Sequence, residues 1–199
     1  MKRTGFLTNA SLTYALAALV AASTFGFASK AQAQDLFSAL FGGGGGGSGK
    51  NYVSFSKSYS PGTVVVSFGD RRLYYISKRG SAISYPIAIP KGDARWSGTS
   101  RISQKRVNPS WTPTPQMRRE NPKLPAYVPG GHPRNPLGVR ALYIGSSLYR
   151  IHGTDAPWTI GKAVSKGCIR MYNNHVVDLY PRVRVGARVI VTWKKFKSV

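Results

Sequence analysis

Between Pro61 and Trp193 the apolar residues come almost entirely in short blocks, rich in β-branched and aromatic side chains and cut by glycine, aspartate and proline. Blocks of this length cannot build a helical core, but they suit strands joined by tight turns. Thr63–Phe68 ends at the turn signal Gly69-Asp70, Leu73–Ser77 at Lys78-Arg79-Gly80, and Ala82–Ile89 follows. These three runs predict an antiparallel meander. Ser100–Val107, Val139–Ile144 and Ser147–His152 predict further strands, and Ala187–Trp193 a closing strand after the Val185-Gly186 turn.

Two segments break the pattern. Residues 108–138 are rich in proline and hold two Asn-Pro pairs, Asn121-Pro122 and Asn135-Pro136, so they predict a long loop of the kind that is functional or disordered. Asn173–Tyr180 predicts a short helix with Val176, Val177 and Tyr180 on one face and His175 toward solvent. About 140 residues are enough for one domain with its own core. No internal repeat and no second domain is visible.

The amino-terminal end is of a different kind. Lys2-Arg3, an apolar-to-small stretch from Ala10 to Ala28, and Ala31-Gln32-Ala33 have the order of a secretory signal cut after Ala33. An uncleaved membrane anchor is the rival, because the stretch approaches bilayer-spanning length. The expected division is a signal peptide at 1–33, a glycine-rich linker at 34–60 and a folded domain at 61–199. The run Gly42–Gly47 lacks the Lys-Ser/Thr ending of a phosphate loop and reads as a tether. Residues 50–60 read as linker or edge segment.

Charge narrows the partners. The chain has 29 Lys and Arg against 6 Asp and Glu. Loss of Lys2, Arg3 and Lys30 with the signal would leave 26 against 6, or +20. Such a balance implies a polyanionic partner. Export argues against nucleic acid and for the carboxylates and phosphates of a cell envelope, in a periplasmic or envelope location. A basic surface that serves only solubility is the bland alternative.

Cys168 is the sole cysteine, so an internal disulfide is excluded and the thiol is inert, intermolecular or reactive. It follows Ser165-Lys166-Gly167 and lies sixteen residues after His152-Gly153. A thiol attacks as the thiolate and needs a base or a cationic field beside it. His152 can supply the base if the intervening glycines and Pro157 let the loop fold back, and Lys166 and Arg170 flank the thiol. Spacing alone leaves His132 and His175 open as partners, and a packed, unreactive cysteine as well. Three scattered histidines and one cysteine match no metal-ligand spacing, and no cofactor motif is present. The tryptophans 96, 111, 158 and 193 read as core or cleft wall, and Asp155 as a turn cap.

The segment from Ile151 to Met171 resembles the signature of the L,D-transpeptidase (YkuD-type) family: a His-Gly pair, then Ser-x-Gly-Cys-hydrophobic-Arg. Here these are His152-Gly153 and Ser165-Lys166-Gly167-Cys168-Ile169-Arg170. Asn135-Pro136-Leu137-Gly138 and the stretch from Asn174 through Val185-Gly186 are similar as well, so the resemblance covers roughly residues 61–193. It implies a mostly-β sandwich with one or two short helices. It further implies Cys168 as nucleophile, His152 as base oriented by the Gly153 carbonyl, and an oxyanion hole of the Gly167 and Cys168 N–H groups. Arg170 would receive a substrate carboxylate, Ser165 would shape the loop, and Lys166 and Trp158 would border the substrate. Lys166 departs from the histidine found in many members, and His132 stands where Gly-Pro is expected.

The implied substrate is the stem peptide of peptidoglycan, and the implied product a 3→3 cross-link. An envelope-protein acceptor, or water in an L,D-carboxypeptidase, would use the same chemistry. A catalytically idle, basic wall-binding domain is the reading from a different class. No transmembrane span is expected after signal cleavage.

Overall fold

The computed structural model describes residues 49–196. The signal-like segment 1–33 and the tether Gly42–Gly47 lie outside the described residues. The fold is mostly β, as expected, with two α-helices among the described residues.

The three blocks after Pro61 form the meander: β2 (Val64–Ser67), β3 (Arg72–Lys78) and β4 (Ser81–Pro90), paired antiparallel in turn. β10 (Arg188–Thr192) lies parallel to β2 and antiparallel to β5 (Gly98–Val107). A second layer contains β6 (Arg140–Ile144), β7 (Arg150–His152) and β9 (Ile169–Met171). The long strands β4 and β5 belong to both layers. The first half of β5 pairs with β10 and its second half with β6, across a register shift between Ile102 and Gln104. β4 pairs with β3 through Pro86 and then with β9 at Ile87 and Ala88.

Between the layers lies one core. Val64, Val66, Leu73, Ile83 and Tyr85 from the first layer meet Ile102, Leu142, Ile144, Ile151, Ile169 and Met171 from the second. Each aliphatic side chain buried there contributes about 1.5–3 kcal/mol. Strand alternation sends the intervening residues of the second layer to its outer face. That face matters below.

The segment before Pro61 is part of the fold: of the two readings open for residues 50–60, linker or edge segment, the structure takes the edge. β1 (Asn51–Ser54) is an edge strand antiparallel to β4. Phe55, Tyr59 and Phe196 then cover Val65, Tyr74, Ile76 and Ala82 on the outer side of the first layer. Phe55 and Phe196 pack with ring centroids 4.7 Å apart and planes tilted by 33°. Which surface these aromatics cover is not legible locally, because it is assembled from β2, β3 and β4.

The proline-rich stretch 108–138 is ordered rather than structureless. It contains α1 (Pro115–Glu120), capped by the Thr114 hydroxyl accepting from the Met117 N–H at 3.2 Å, and a bridge from Trp111 to Val128. Buried Asn135 donates to the carbonyls of Pro109 (2.8 Å) and Pro129 (3.0 Å) and accepts from the Leu137 N–H (2.9 Å). One amide thus supplies partners for backbone that the prolines cannot pair.

α2 (Asn173–Arg182) runs two residues past the expected end, with Pro181 in its last turn. Its buried face is His175, Val176 and Leu179, while Val177 is 43% exposed. The expectation that Val177 faces inward and His175 outward is therefore reversed. The His175 ring packs against Tyr85 and Tyr172.

Candidate active site

The outer face of the second layer brings Cys168 and His152 together. β7 and β9 are parallel neighbours in the register Ile151↔Ile169 and His152↔Arg170. Ile151 and Ile169 point into the core, so by alternation Arg150, His152, Cys168 and Arg170 share the opposite face. Cys168 precedes β9 directly and lies diagonally across from His152, a placement within side-chain reach. His132 sits in the 108–138 loop, where its Nδ1 accepts from the Arg134 N–H at 3.1 Å, and His175 faces the core from α2. Of the three histidines, topology brings only His152 to the face that carries the thiol.

The imidazole of His152 is 3% exposed, and its Nδ1 lies 2.5 Å from the Gly153 carbonyl oxygen. A carbonyl can only accept, so Nδ1 carries the proton and Nε2 keeps a free lone pair. Burial, opposed by the Gly153 hydrogen bond, pushes the His152 pKa down to about 3. The Cys168 thiol is pushed up, again by burial, against hydrogen bonds from the backbone and side chain of Arg150 and the charges of Arg150 and Arg170. The resting pair is therefore thiol and neutral imidazole, not an ion pair. In this structure the Cys168 Sγ donates to the Leu148 carbonyl oxygen at 3.8 Å, and the Nε2 lone pair of His152 remains open to accept a proton.

Asn173, at the start of α2, holds the backbone beneath the imidazole. Its side-chain oxygen accepts from the N–H groups of Thr154 (3.1 Å) and Val139 (3.4 Å), and its nitrogen donates to the Thr154 carbonyl (3.0 Å). A Cβ on Gly153 would collide with this amide. That close approach is the physical requirement for glycine after His152.

The turn before Cys168 is pinned in three ways. The Ser165 hydroxyl donates to the Cys168 carbonyl, the local bond expected of it. Trp96 Nε1 donates to the Gly167 carbonyl at 3.1 Å. Tyr149 stacks on Trp96, with centroids 5.0 Å apart and planes 6° off parallel, and presses against Gly167. Lys166 points outward and forms an ion pair with Glu120 at the end of α1, which ties the proline-rich segment to this turn. Trp158, in a short 3-10 turn over Pro157–Thr159, is 70% exposed. Arg170 is half-buried beside His152 in the register.

Sequence reasoning missed Asn173, the Trp96–Tyr149 pair and Arg150. Period-two alternation along Arg150-Ile151-His152 contains the signal for Arg150. Asn173 and Trp96 come from distant segments and carry no local pattern. Among the described residues no group of three or more His, Cys, Asp or Glu could hold a metal ion, and no helix is long and apolar enough to cross a membrane.

Comparison with known proteins places the chain in a family. The model of the YkuD family, described as the L,D-transpeptidase catalytic domain, matches residues 61–191. The probable L,D-transpeptidase ErfK/SrfK of Escherichia coli (strain K12) is 42% identical over 133 residues, covering 63% of this chain and 42% of that protein. The chain thus matches about two fifths of that relative's length. A putative L,D-transpeptidase from the ATP synthase subunits region of Fuscovulum blasticum is 35% identical over 138 residues, or 69% of this chain and 72% of that one. In fold, L,D-transpeptidase 3 from Mycobacterium tuberculosis superimposes with a TM-score of 0.52 at 16% identity, over 65% of this chain and 60% of that one. With the family model spanning both His152-Gly153 and Ser165–Arg170, the chain belongs to the L,D-transpeptidase catalytic domain family.

Proposed function

We propose that this chain is an exported enzyme that rejoins peptidoglycan stem peptides through a thioester on Cys168, forming 3→3 cross-links. The observation that carries the reading is the placing of a thiol and a Gly153-locked neutral imidazole on one sheet face. In the reaction, His152 Nε2 takes the Sγ proton as sulfur attacks the carbonyl of the diamino acid's L-centre. N–H groups of Gly167 and Cys168 meet the oxyanion. The tetrahedral intermediate expels the terminal D-alanine, whose amine leaves with the proton from His152. A side-chain amine of a second stem then attacks the thioester, gives up its proton to His152 and frees the thiol. Arg170 would receive a substrate carboxylate, and Trp158 and Lys166 would border the cleft.

Mass spectrometry of the protein incubated with disaccharide-tetrapeptide tests this. A cross-linked dimer, one D-alanine released per bond and a transient acyl mass on the sole cysteine are the expected products. Tripeptide without dimer would replace the amine acceptor by water, and an unmodified cysteine with intact substrate would overturn the reading.

The proposal includes delivery to the periplasm, supported by the basic, apolar and Ala31-Gln32-Ala33 segments in sequence. Protein sequencing from the envelope fraction should begin at Gln34. A chain that begins at Met1 in the cytosolic fraction would contradict export.

A further inference from the structure

The outer face of the second layer holds more positive charge beside Cys168 than the signature accounts for. Tyr143 on β6 pairs directly with Arg150 on β7, and Arg106 on β5 lies on the same face through its pairing with Ala141. The Arg150 guanidinium stacks on the Tyr143 ring, 4.9 Å from its centroid, and the Arg106 guanidinium lies 5.7 Å from the same centroid. Two like charges thus share one aromatic ring. The ring attracts both cations, and water screens the exposed Arg106, so the grouping is tolerated without an acid and leaves a positive face open to an anion. Among the described residues the ion pairs join Lys50 and Arg182 to Asp178, and Lys166 to Glu120; none involves Arg106, Arg150 or Arg170.

Arg150 is also incompletely satisfied. One terminal nitrogen donates to the Leu148 carbonyl at 2.9 Å and the side chain also hydrogen-bonds the Cys168 sulfur, but Nε is buried and finds no acceptor among the described residues. A buried, unpaired donor on a guanidinium held rigid by ring stacking is an incomplete fork, and planar carboxylates complete such forks. In sheet register Arg150 stands directly opposite the position of Cys168, one residue before the Ile151↔Ile169 pair.

We propose that Arg150, braced by Tyr143 and assisted by Arg106, is a carboxylate-binding subsite next to the thiol, separate from Arg170, that holds an acidic group of the peptide reacting at Cys168. This rests on Cys168 being the nucleophile. The subsite adds a specificity element: a peptide with a free carboxylate within one residue of the reacting carbonyl is held, and its amidated counterpart is not.

Alkylation of the full chain tests this, using iodoacetate and its neutral isostere iodoacetamide. Both displace iodide at the same thiolate, and the protein has one cysteine, so a single mass increment reports each rate. The ratio of the two rates cancels the thiolate fraction and isolates the preference for a carboxylate. In the wild type the ratio should exceed that of a cysteine peptide by roughly tenfold, about the worth of one charge-assisted hydrogen bond. It should collapse toward the peptide value in Arg150→Gln, fall partly in Arg106→Gln and be partly kept in Arg150→Lys. Arg188→Gln, a distant exposed change on β10, should leave it unaltered. Arg106 is exposed, so Arg106→Gln keeps the test alive if Arg150→Gln does not fold.

A ratio that is the same in wild type, Arg150→Gln and Arg106→Gln would overturn the subsite while leaving Cys168 as nucleophile. An equal drop in Arg188→Gln would overturn it too, since net charge would then explain the preference. A thiol inert to both reagents would overturn the subsite together with its premise. A collapse of the ratio in a protein that makes no cross-link would support the subsite and reject the cross-linking reading.

Discussion

Replacing Cys168 with alanine is expected to leave no acyl-enzyme at all, and replacing His152 with glutamine to lower kcat/KM by about 10³-fold. The two losses should not add: Cys168→Ala/His152→Gln should be no slower than Cys168→Ala, because the base acts only through the sulfur. Steady-state rates of D-alanine release measure all three variants. A His152→Gln protein with near wild-type kcat/KM would assign the proton to another group.

The same histidine governs acid stability, with a definite sign. Its pKa is pushed down to about 3 in the folded protein from an ordinary value of 6.5, chiefly by burial. Between those values the unfolded chain binds a proton that the native state does not. Stability is therefore fully present above 6.5 and is lost as pH falls through the window toward 3. His175, also pushed down by burial, adds in the same direction. Melting temperatures at pH 7, 5.5 and 4.5 should fall with acid in the wild type and fall less in His152→Gln. Equal slopes in the two proteins would mean that the His152 pKa is not depressed. The acid limb of kcat/KM should lie below 6.5 for the same reason.

Gly167→Ala is the second large effect. Gly167 has φ +121°, a conformation that L-residues rarely adopt, and an added Cβ would run into the Tyr149 ring. The ring cannot retreat easily, since it stacks on Trp96, which in turn donates to the Gly167 carbonyl. Backbone strain and overpacking together should cost about 2–6 kcal/mol. Against a typical total of about 5–15 kcal/mol, part of the population would unfold. Urea midpoints should show this loss. Adding Tyr149→Ala should restore only the steric share, because the backbone strain remains. An unaltered midpoint in Gly167→Ala would mean that the turn relaxes freely. If the proposed oxyanion hole of the Gly167 and Cys168 N–H groups is used, molecules that do fold should also lose activity.

Much of the first layer was legible because its periodicity is local. β2, β3, β4 and β10 each announce themselves by β-branched runs between turn residues, and the meander needs no long-range information. The short strands β8 (Ala163–Ser165) and β9 escaped, being three residues each and paired through β4 from far away in sequence. The face of α2 was misread for a related reason. Val177 looks like core by composition, but the direction from which the sheets approach selects Val176 and Leu179 and seats His175 against Tyr85.

By itself the sequence determined the strand-rich class and the family signature, because these reside in residue type and short spacing; that signature is what singles out Cys168 and His152. Tertiary structure alone decided that Asn173 braces the Gly153 backbone and that Arg106, Tyr143 and Arg150 gather beside Cys168. Each of those facts depends on which strands become neighbours and in what register. Register is set by burying Ile151 and Ile169 in one core, a collective result of packing that no local pattern contains.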